Sequence, residues 1–193
     1  MNTHSRPVIL LLVIALLLPG CTGGLIVAGA ATGVAVAYDR RTAGTVVEDQ
    51  NIEIKVASAI RRDKALRDKA HIGVVSYNNI VLLVGQAPTR ALRDRAVALA
   101  RKVEKVRRVH NEIALGEPTP FSVRNRDIWI TTKVKSALLG SKGLDAIHVK
   151  VVTEDGVVYL MGLLTRREAD EVARRVQQVK GVKRVVKVFE YLD

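Results

Sequence analysis

The chain has 193 residues, of which 48% are apolar and only 4% aromatic, and its formal net charge is +12. This length suits one large or two small domains, whose cores would consist of Val, Leu, Ile and Ala, and the single Cys excludes an internal disulfide. A balance this basic points to an anionic partner, which could be nucleic acid, an anionic membrane surface or an acidic protein.

The first 21 residues predict export and lipidation. Arg6 gives a basic start, and the apolar run over residues 8–18 is too short for a membrane-spanning helix of about 20 residues. Residues 18–21, Leu-Pro-Gly-Cys, look like a bacterial lipobox, in which Cys21 becomes the lipidated first residue. The alternative is an ordinary signal peptide or an uncleaved anchor with an incidental Cys. Export argues against nucleic acid as a partner, and Thr22, in place of Asp, favours the outer membrane.

Residues 23–38 are rich in Gly and Ala. Gly29 and Gly33 have the spacing of a helix-packing motif, so a transmembrane dimerisation helix is one interpretation. A flexible tether beyond the lipid anchor is the other, because such a run forms helices poorly in water. We expect a signal peptide over residues 1–20 and a lipidated Cys with its tether over residues 21–45.

An αββαβ unit follows the tether. Asn78 and Asn79 separate two Val- and Ile-rich runs, which predicts a hairpin because Asn tolerates the positive φ of a tight turn. Gly85 is expected to end the second strand. The predicted elements are a helix over 48–61, strands over 71–76 and 80–84, a helix over 89–103 and a strand over 106–115.

The same order recurs about 78 residues later. A helix over 126–139 precedes strands over 148–153 and 157–161, joined by an Asp-Gly turn, and then a helix and a strand reaching residue 191. The fold class is therefore α+β, with two tandem αββαβ domains, each a three-stranded mixed sheet with two helices. The expected bounds are 46–116 for the first domain, 117–123 for the linker and 124–193 for the second domain.

The two copies differ at the start of their first helix. Residues 49–60 align with residues 127–138, and both show an apolar stripe at helical spacing: Ile52, Val56, Ala59 and Ile60 in one copy, and Ile130, Val134, Ala137 and Leu138 in the other. Trp129, the only Trp, lies about 100° away from that stripe and aligns with Asn51. A position that is Asn in one copy is most simply at the surface in both, so we predict that Ile128 and Trp129 are exposed.

This doubled pattern resembles the BON domain. The resemblance is carried by LLVG at 82–85, YLMG at 159–162 and WITTKV at 129–134, and it covers about residues 42–193 together with the export signal. Two such domains behind a lipobox resemble the dual-BON outer-membrane lipoproteins, the division- and outer-membrane-stress-associated lipid-binding lipoprotein family. The resemblance implies a non-catalytic protein of the outer membrane, facing the periplasm, that maintains membrane integrity and binds anionic phospholipid through the helix starting at Asp127. The Arg-rich first domain departs from the pattern.

The predicted lipid site combines apolar insertion with basic contacts to phosphatidylglycerol or cardiolipin. Trp favours the headgroup level of a bilayer, and each nearby Lys or Arg contributes about 1 kcal/mol at an anionic surface. One alternative is that Trp129 packs against the first domain or the linker, with its ring buried between the repeats. The other is an envelope adaptor without lipid recognition, in which the same exposed patch or the basic helix of the first domain docks an acidic protein. The candidate residues are Trp129, Ile128, Lys133, Lys135, Arg124 and Arg126, with Cys21 as the lipidation site.

No cofactor or enzymatic activity is expected. The four His residues have no partners at metal-ligand spacing. His71 and His148 occupy equivalent positions, which could mark a pair of sites but are more simply structural.

Overall fold

The computed structural model describes residues 39–139 and 149–193. The predicted signal peptide, Cys21, Gly29, Gly33 and His148 lie outside these residues. The elements of the first repeat are α1 (Ala43–Arg62), α2 (Lys64–Lys69), β1 (His71–Tyr77), β2 (Ile80–Ala87), α3 (Arg90–Arg101) and β3 (Arg108–Leu115). Those of the second are α4 (Phe121–Leu139), β4 (Val149–Glu154), β5 (Val157–Leu164), α5 (Arg166–Gln177) and β6 (Arg184–Tyr191).

The two mixed sheets confirm the predicted fold class. In each sheet the second strand is central, antiparallel to the strand before it and parallel to the strand after it. The prediction that Gly85 ends its strand is wrong, since β2 continues to Ala87. Gly85 has φ +111°, and a Cβ there would lie 2.0 Å from the His71 carbonyl oxygen, so the glycine permits the close approach of β1.

Both hairpins have the predicted turn. Asn78 and Asn79 have φ of 51° and 62°, and Asp155 and Gly156 have φ of 44° and 75°. Two consecutive residues of positive φ match the right-handed twist of the flanking strands, which is why Asn and Asp-Gly stand there.

The helix starts differ most from the prediction. Helix α1 begins at Ala43, where the Thr42 side chain accepts a hydrogen bond from the backbone N–H of Thr45. Helix α4 begins at Phe121, directly after Pro120. The Pro120 carbonyl oxygen accepts hydrogen bonds from the backbone N–H groups of Val123 and Arg124. The short helix α2 was not predicted, although Asp63 caps it through two backbone N–H groups, a usual signal for a helix start.

The core stripes of α1 and α4 are largely as expected. Ile130, Val134 and Leu138 are buried together with their counterparts on α1, but Ala137 is exposed and Ala59 only half-buried. The stripe is therefore narrower than predicted, and in both copies it is extended toward the N-terminus by a buried aspartate.

The central strands explain how the two repeats fit together. On β2, Val81 and Leu83 pack under α1 and α3, while the alternate residues face the other way. On β5, Val158 and Leu160 likewise pack under α4 and α5. The opposite faces of the two strands meet in a shared cluster of buried residues, namely Tyr77, Ile80, Leu82, Val84, Tyr159, Met161 and Val188.

The described part of the chain is thus a four-layer stack of helices, sheet, sheet and helices. Polar contacts at the rim tie the two sheets together: Gln86 donates to Glu154 over 2.7 Å, and the Tyr77 hydroxyl is hydrogen-bonded to the backbone of Leu163. Tyr77 is equivalent to Glu154 in the other repeat, and Gln86 is equivalent to Leu163. The two contacts therefore join the same pair of positions with the repeats exchanged.

Candidate functional site

Helix α4 carries the predicted apolar pair at its surface. Trp129 is 69% exposed and Ile128 is 63% exposed, and Asn51 and Gln50, their counterparts on α1, are also exposed. The alternative in which Trp129 packs between the repeats is therefore wrong. Phe121 and Leu139, at the two ends of α4, are exposed as well, so this helix presents four large apolar side chains to its surroundings.

The structure divides the six predicted lipid contacts between two sides of α4. Arg124, Ile128 and Lys135 follow one another at helical spacing and line a surface cleft of about 450 Å³. The far wall of this cleft comes from β4 and from His71 of the first repeat. Trp129 does not line the cleft.

The other side of α4 carries Trp129 with Arg126 and Lys133. Both basic residues have partners in the fold: Arg126 lies 3.5 Å from the Asp155 carboxylate, and Lys133 donates to the carbonyl of Lys180 over 2.6 Å. Within the described residues Arg124 and Lys135 pair with no carboxylate. The two sides therefore differ in how much basic charge is free for a ligand.

Asp127 holds α4 to the adjacent hairpin, a role that the sequence analysis missed. Its side chain is buried, and its two oxygens accept from the backbone N–H groups of Asp155 at 2.7 Å and Gly156 at 2.8 Å. The turn is thereby fixed beside the exposed face of the helix. The signal was present, because an aspartate opens the aligned segment in both repeats.

Asp49 makes the same contact in the first repeat with more partners. It accepts from the backbone N–H groups of Asn78 at 2.7 Å and Asn79 at 2.8 Å, and also from Ser76 Oγ at 2.6 Å and the guanidinium of Arg41 at 2.7 Å. Position 49 is therefore both a turn anchor and one end of a buried ion pair.

Residues 39–41, which we call the N-terminal clamp, contact both repeats. Arg40 makes a bidentate ion pair with Glu168 at 2.7 and 2.8 Å and donates to the Leu163 carbonyl at 3.0 Å. Arg41 binds Asp39 within the clamp and Asp49 in the first repeat. These roles were also missed, because nothing in residues 39–41 indicates distant partners.

The clamp changes the pKa values of groups that it contacts. The hydrogen bonds from Arg40 lower the pKa of Glu168 to about 2, against the opposing effect of burial. Arg41 also lies over the Tyr77 ring, 3.9 Å from its centroid. Burial, with the charge of Asp39 added, raises the pKa of Tyr77 to about 12.

The described residues also bear on two other kinds of site. Residues 39–139 and 149–193 contain no group of three or more His, Cys, Asp or Glu side chains placed to hold a metal ion. In the same ranges no helix has the length and apolar character needed to cross a bilayer. The suggestion of paired His sites remains untested, since His71 is described and His148 is not.

The sequence matches a known family model twice. The model of the BON domain matches residues 48–117 and residues 126–193, one match for each repeat.

Three relatives are similar over most of their length. The outer membrane lipoprotein DolP of Haemophilus influenzae is 39% identical over 184 residues, which cover 95% of each chain. The 21 kDa hemolysin of Actinobacillus pleuropneumoniae is 43% identical over 155 residues, 80% of each chain. The osmotically-inducible protein Y of Escherichia coli is 30% identical over 150 residues, 75% of this chain and 74% of the relative.

Proposed function

Because the chain belongs to the BON domain family and is an outer membrane lipoprotein, we propose that it binds anionic phospholipids through helix α4 of its second domain. The ligands would be phosphatidylglycerol or cardiolipin, and binding would maintain the integrity of the outer membrane. The protein would be anchored by lipid on Cys21, would face the periplasm and would act without catalysis.

The exposed pair Ile128 and Trp129 is the observation that carries this proposal. Two large apolar side chains, each more than 60% exposed at adjacent positions, gain little from the protein's own fold. In a bilayer interface the Trp ring would lie at the headgroup level, with its apolar body buried and its N–H hydrated.

The basic residues sharpen the proposal. Arg124 and Lys135 have no carboxylate partner among the described residues, so phosphate contact with them replaces only water. Arg126 and Lys133 would first have to leave Asp155 and the Lys180 carbonyl. We therefore expect Arg124 and Lys135 to contribute most of the electrostatic attraction, about 1 kcal/mol each at an anionic surface.

Trp fluorescence of the mature chain carrying Cys21→Ser tests the proposal. Vesicles of phosphatidylglycerol should shift the emission of Trp129 to the blue at low salt and less so at moderate salt, because salt screens surface charges. Vesicles of phosphatidylcholine should leave the emission nearly unchanged. An emission that stays red with both kinds of vesicle would rule out insertion of Trp129.

The repeat provides a matched control. The double variant Trp129→Asn with Asn51→Trp moves the only Trp to the equivalent exposed position of the first repeat and leaves the net charge unchanged. Its emission should not respond to anionic vesicles. An equal blue shift from position 51 would mean that any exposed Trp on this protein reports the membrane, and it would remove α4 as the specific site.

A further inference from the structure

The outer helical layer of the first repeat lies on the opposite side of the four-layer stack from α4. Between the two lie both sheets, joined through the cluster that contains Leu82 and Met161. Any surface on the outward side of α1, α2 and α3 therefore faces away from the partner of Ile128 and Trp129.

That outward side is strongly basic. Residues 61–69 and 90–102, which we call the basic patch, contain ten Lys or Arg residues and three Asp residues. Helices α1, α2 and α3 contact one another, and Arg95 forms an ion pair with Asp63 that joins α3 to the start of α2. The charges therefore form one surface rather than two separate runs.

Most of these charges have no acidic partner in the fold. The three aspartates pair with Arg67, Arg93 and Arg95. In residues 39–139 and 149–193 no carboxylate pairs with the remaining seven basic residues, namely Arg61, Arg62, Lys64, Lys69, Arg90, Arg101 and Lys102. Like charges gathered in this way repel one another, so their contacts with each other do not stabilise the fold.

The equivalent helix of the second repeat is different. On α5, Glu171 pairs with Arg174 and Arg175, while Glu168 and Asp170 pair with Arg40 and Lys187. Helix α5 carries four Arg and three carboxylates, a net charge of +1, whereas α3 carries four Arg and one Asp, a net charge of +3.

Two exposed apolar residues lie on α1, on the helical line that leads to the basic patch. Val47 is 60% exposed and Ile54 is 63% exposed, and they lie in line with Arg61 at i, i+7 and i+14. Exposed apolar side chains beside unpaired Arg are the composition of protein interfaces, where Arg is enriched and a polar rim surrounds an apolar centre.

We propose that the basic patch, with Val47 and Ile54, binds an acidic protein surface. The position of the patch opposite α4 allows the protein partner and the membrane to be bound at the same time. The partner is identified by its chemistry alone: clustered Asp and Glu side chains beside a small apolar area.

Binding of poly-L-glutamate, a lipid-free acidic polypeptide, tests the patch in the mature chain carrying Cys21→Ser. The variant Arg62→Gln, Arg90→Gln, Arg101→Gln breaks no ion pair and should weaken binding at least tenfold at low salt. The matched control Arg108→Gln, Arg167→Gln, Lys180→Gln removes the same charge from residues that likewise lack a carboxylate partner in the described ranges, and it should weaken binding less than threefold. Equal losses of poly-L-glutamate binding in the two variants would mean that binding depends only on net charge, and this would overturn the proposal.

Vesicles of phosphatidylglycerol separate the protein surface from a second membrane contact. Labelled poly-L-glutamate should sediment with these vesicles only when the protein is present, because the two ligands occupy opposite layers. Displacement of the polypeptide by vesicles would overturn the proposal, as would a loss of vesicle binding in the patch variant as large as that caused by Trp129→Asn. A failure of Trp129 to bind vesicles would instead affect only the lipid proposal, since the binding of poly-L-glutamate would still be measured in solution.

Discussion

The two repeats have the same framework and opposite surfaces. Ile52 and Ile130 are both buried, and Asp49 and Asp127 both anchor a hairpin, whereas the neighbouring surface position is Asn51 in one repeat and Trp129 in the other. The helix after the hairpin carries four Arg and one Asp in the first repeat, but four Arg and three carboxylates in the second. Residues that hold the fold thus recur, whereas the residues that we propose to contact a partner differ, so comparison of the two repeats separates the two kinds of position.

Substitution of the buried aspartates should have the largest effect on stability, and the effect should differ between the two repeats. Asp49→Ala leaves two backbone N–H groups and the Ser76 hydroxyl without their acceptor and removes one of the two carboxylates that bind Arg41, so we expect a loss of about 4 kcal/mol in the free energy of unfolding. Asp127→Ala leaves two N–H groups without a charged partner, for which we expect about 2 kcal/mol. Urea denaturation of both variants measures the difference, and equal losses would contradict the added role of Arg41.

A substitution in the shared cluster between the sheets should have the next largest effect on stability. Leu82→Ala removes a fully buried side chain from that cluster and should destabilise the protein by about 3 kcal/mol. Val47→Ala, an exposed apolar truncation in the same repeat, should change the stability by less than about 0.5 kcal/mol. A Leu82→Ala variant as stable as this control would show that the two sheets do not pack face to face in solution.

The ion pair between Arg40 and Glu168 should give a smaller, pH-dependent effect. Since the folded state lowers the pKa of Glu168 to about 2, its contribution is complete above the ordinary value near 4.5 and is lost as the pH falls toward 2. The pair is partly exposed, so solvent screening limits the contribution to about 1 kcal/mol. Thermal melts from pH 6 to pH 2 should show this loss in the native protein, and Arg40→Ala should remove it while leaving other acid transitions in place.

Trp129→Asn should have the smallest effect on stability. It restores the residue found at the equivalent position of the first repeat, and the exposed ring makes little contact with the fold, so we expect a change within about 0.5 kcal/mol. Vesicle binding should nevertheless fall, which is the combination expected of a residue kept for a partner. A loss above 1 kcal/mol in a denaturant titration would assign Trp129 a structural role instead.

The sequence predicted the periodic features well. The duplication, both hairpin turns, the mixed sheets and the exposure of Ile128 and Trp129 follow from residue spacing and from comparison of the two copies. Helix starts were less accurate: α1 and α4 each begin five residues before their predicted starts at 48 and 126, because their first turn precedes the apolar periodicity. Helix α2, with six residues, is too short to show a periodic pattern and was not predicted.

Other features could not be predicted because they depend on tertiary contacts. Face-to-face packing of the sheets is consistent with the continuous burial of β2, but a run of apolar residues does not identify the element that covers it. The pairing of Arg40 with Glu168 joins residues 128 positions apart, and no local pattern indicates it. The same holds for the two sides of α4, since the partners of Arg126 and Lys133 come from the hairpin and the loop after α5.

The N-terminal clamp also determines how the protein bears mechanical force. Among the described residues, 39–41 are the first that a pull on the lipid anchor reaches. Arg41 transmits it to the buried Asp49 of the first repeat, and Arg40 transmits it to Glu168 and Leu163 of the second. Tension is therefore shared by both repeats at the point of attachment and does not peel the first repeat away from the second. A membrane-tethered protein built in this way can be pulled by a moving envelope without losing the arrangement of its two outer layers.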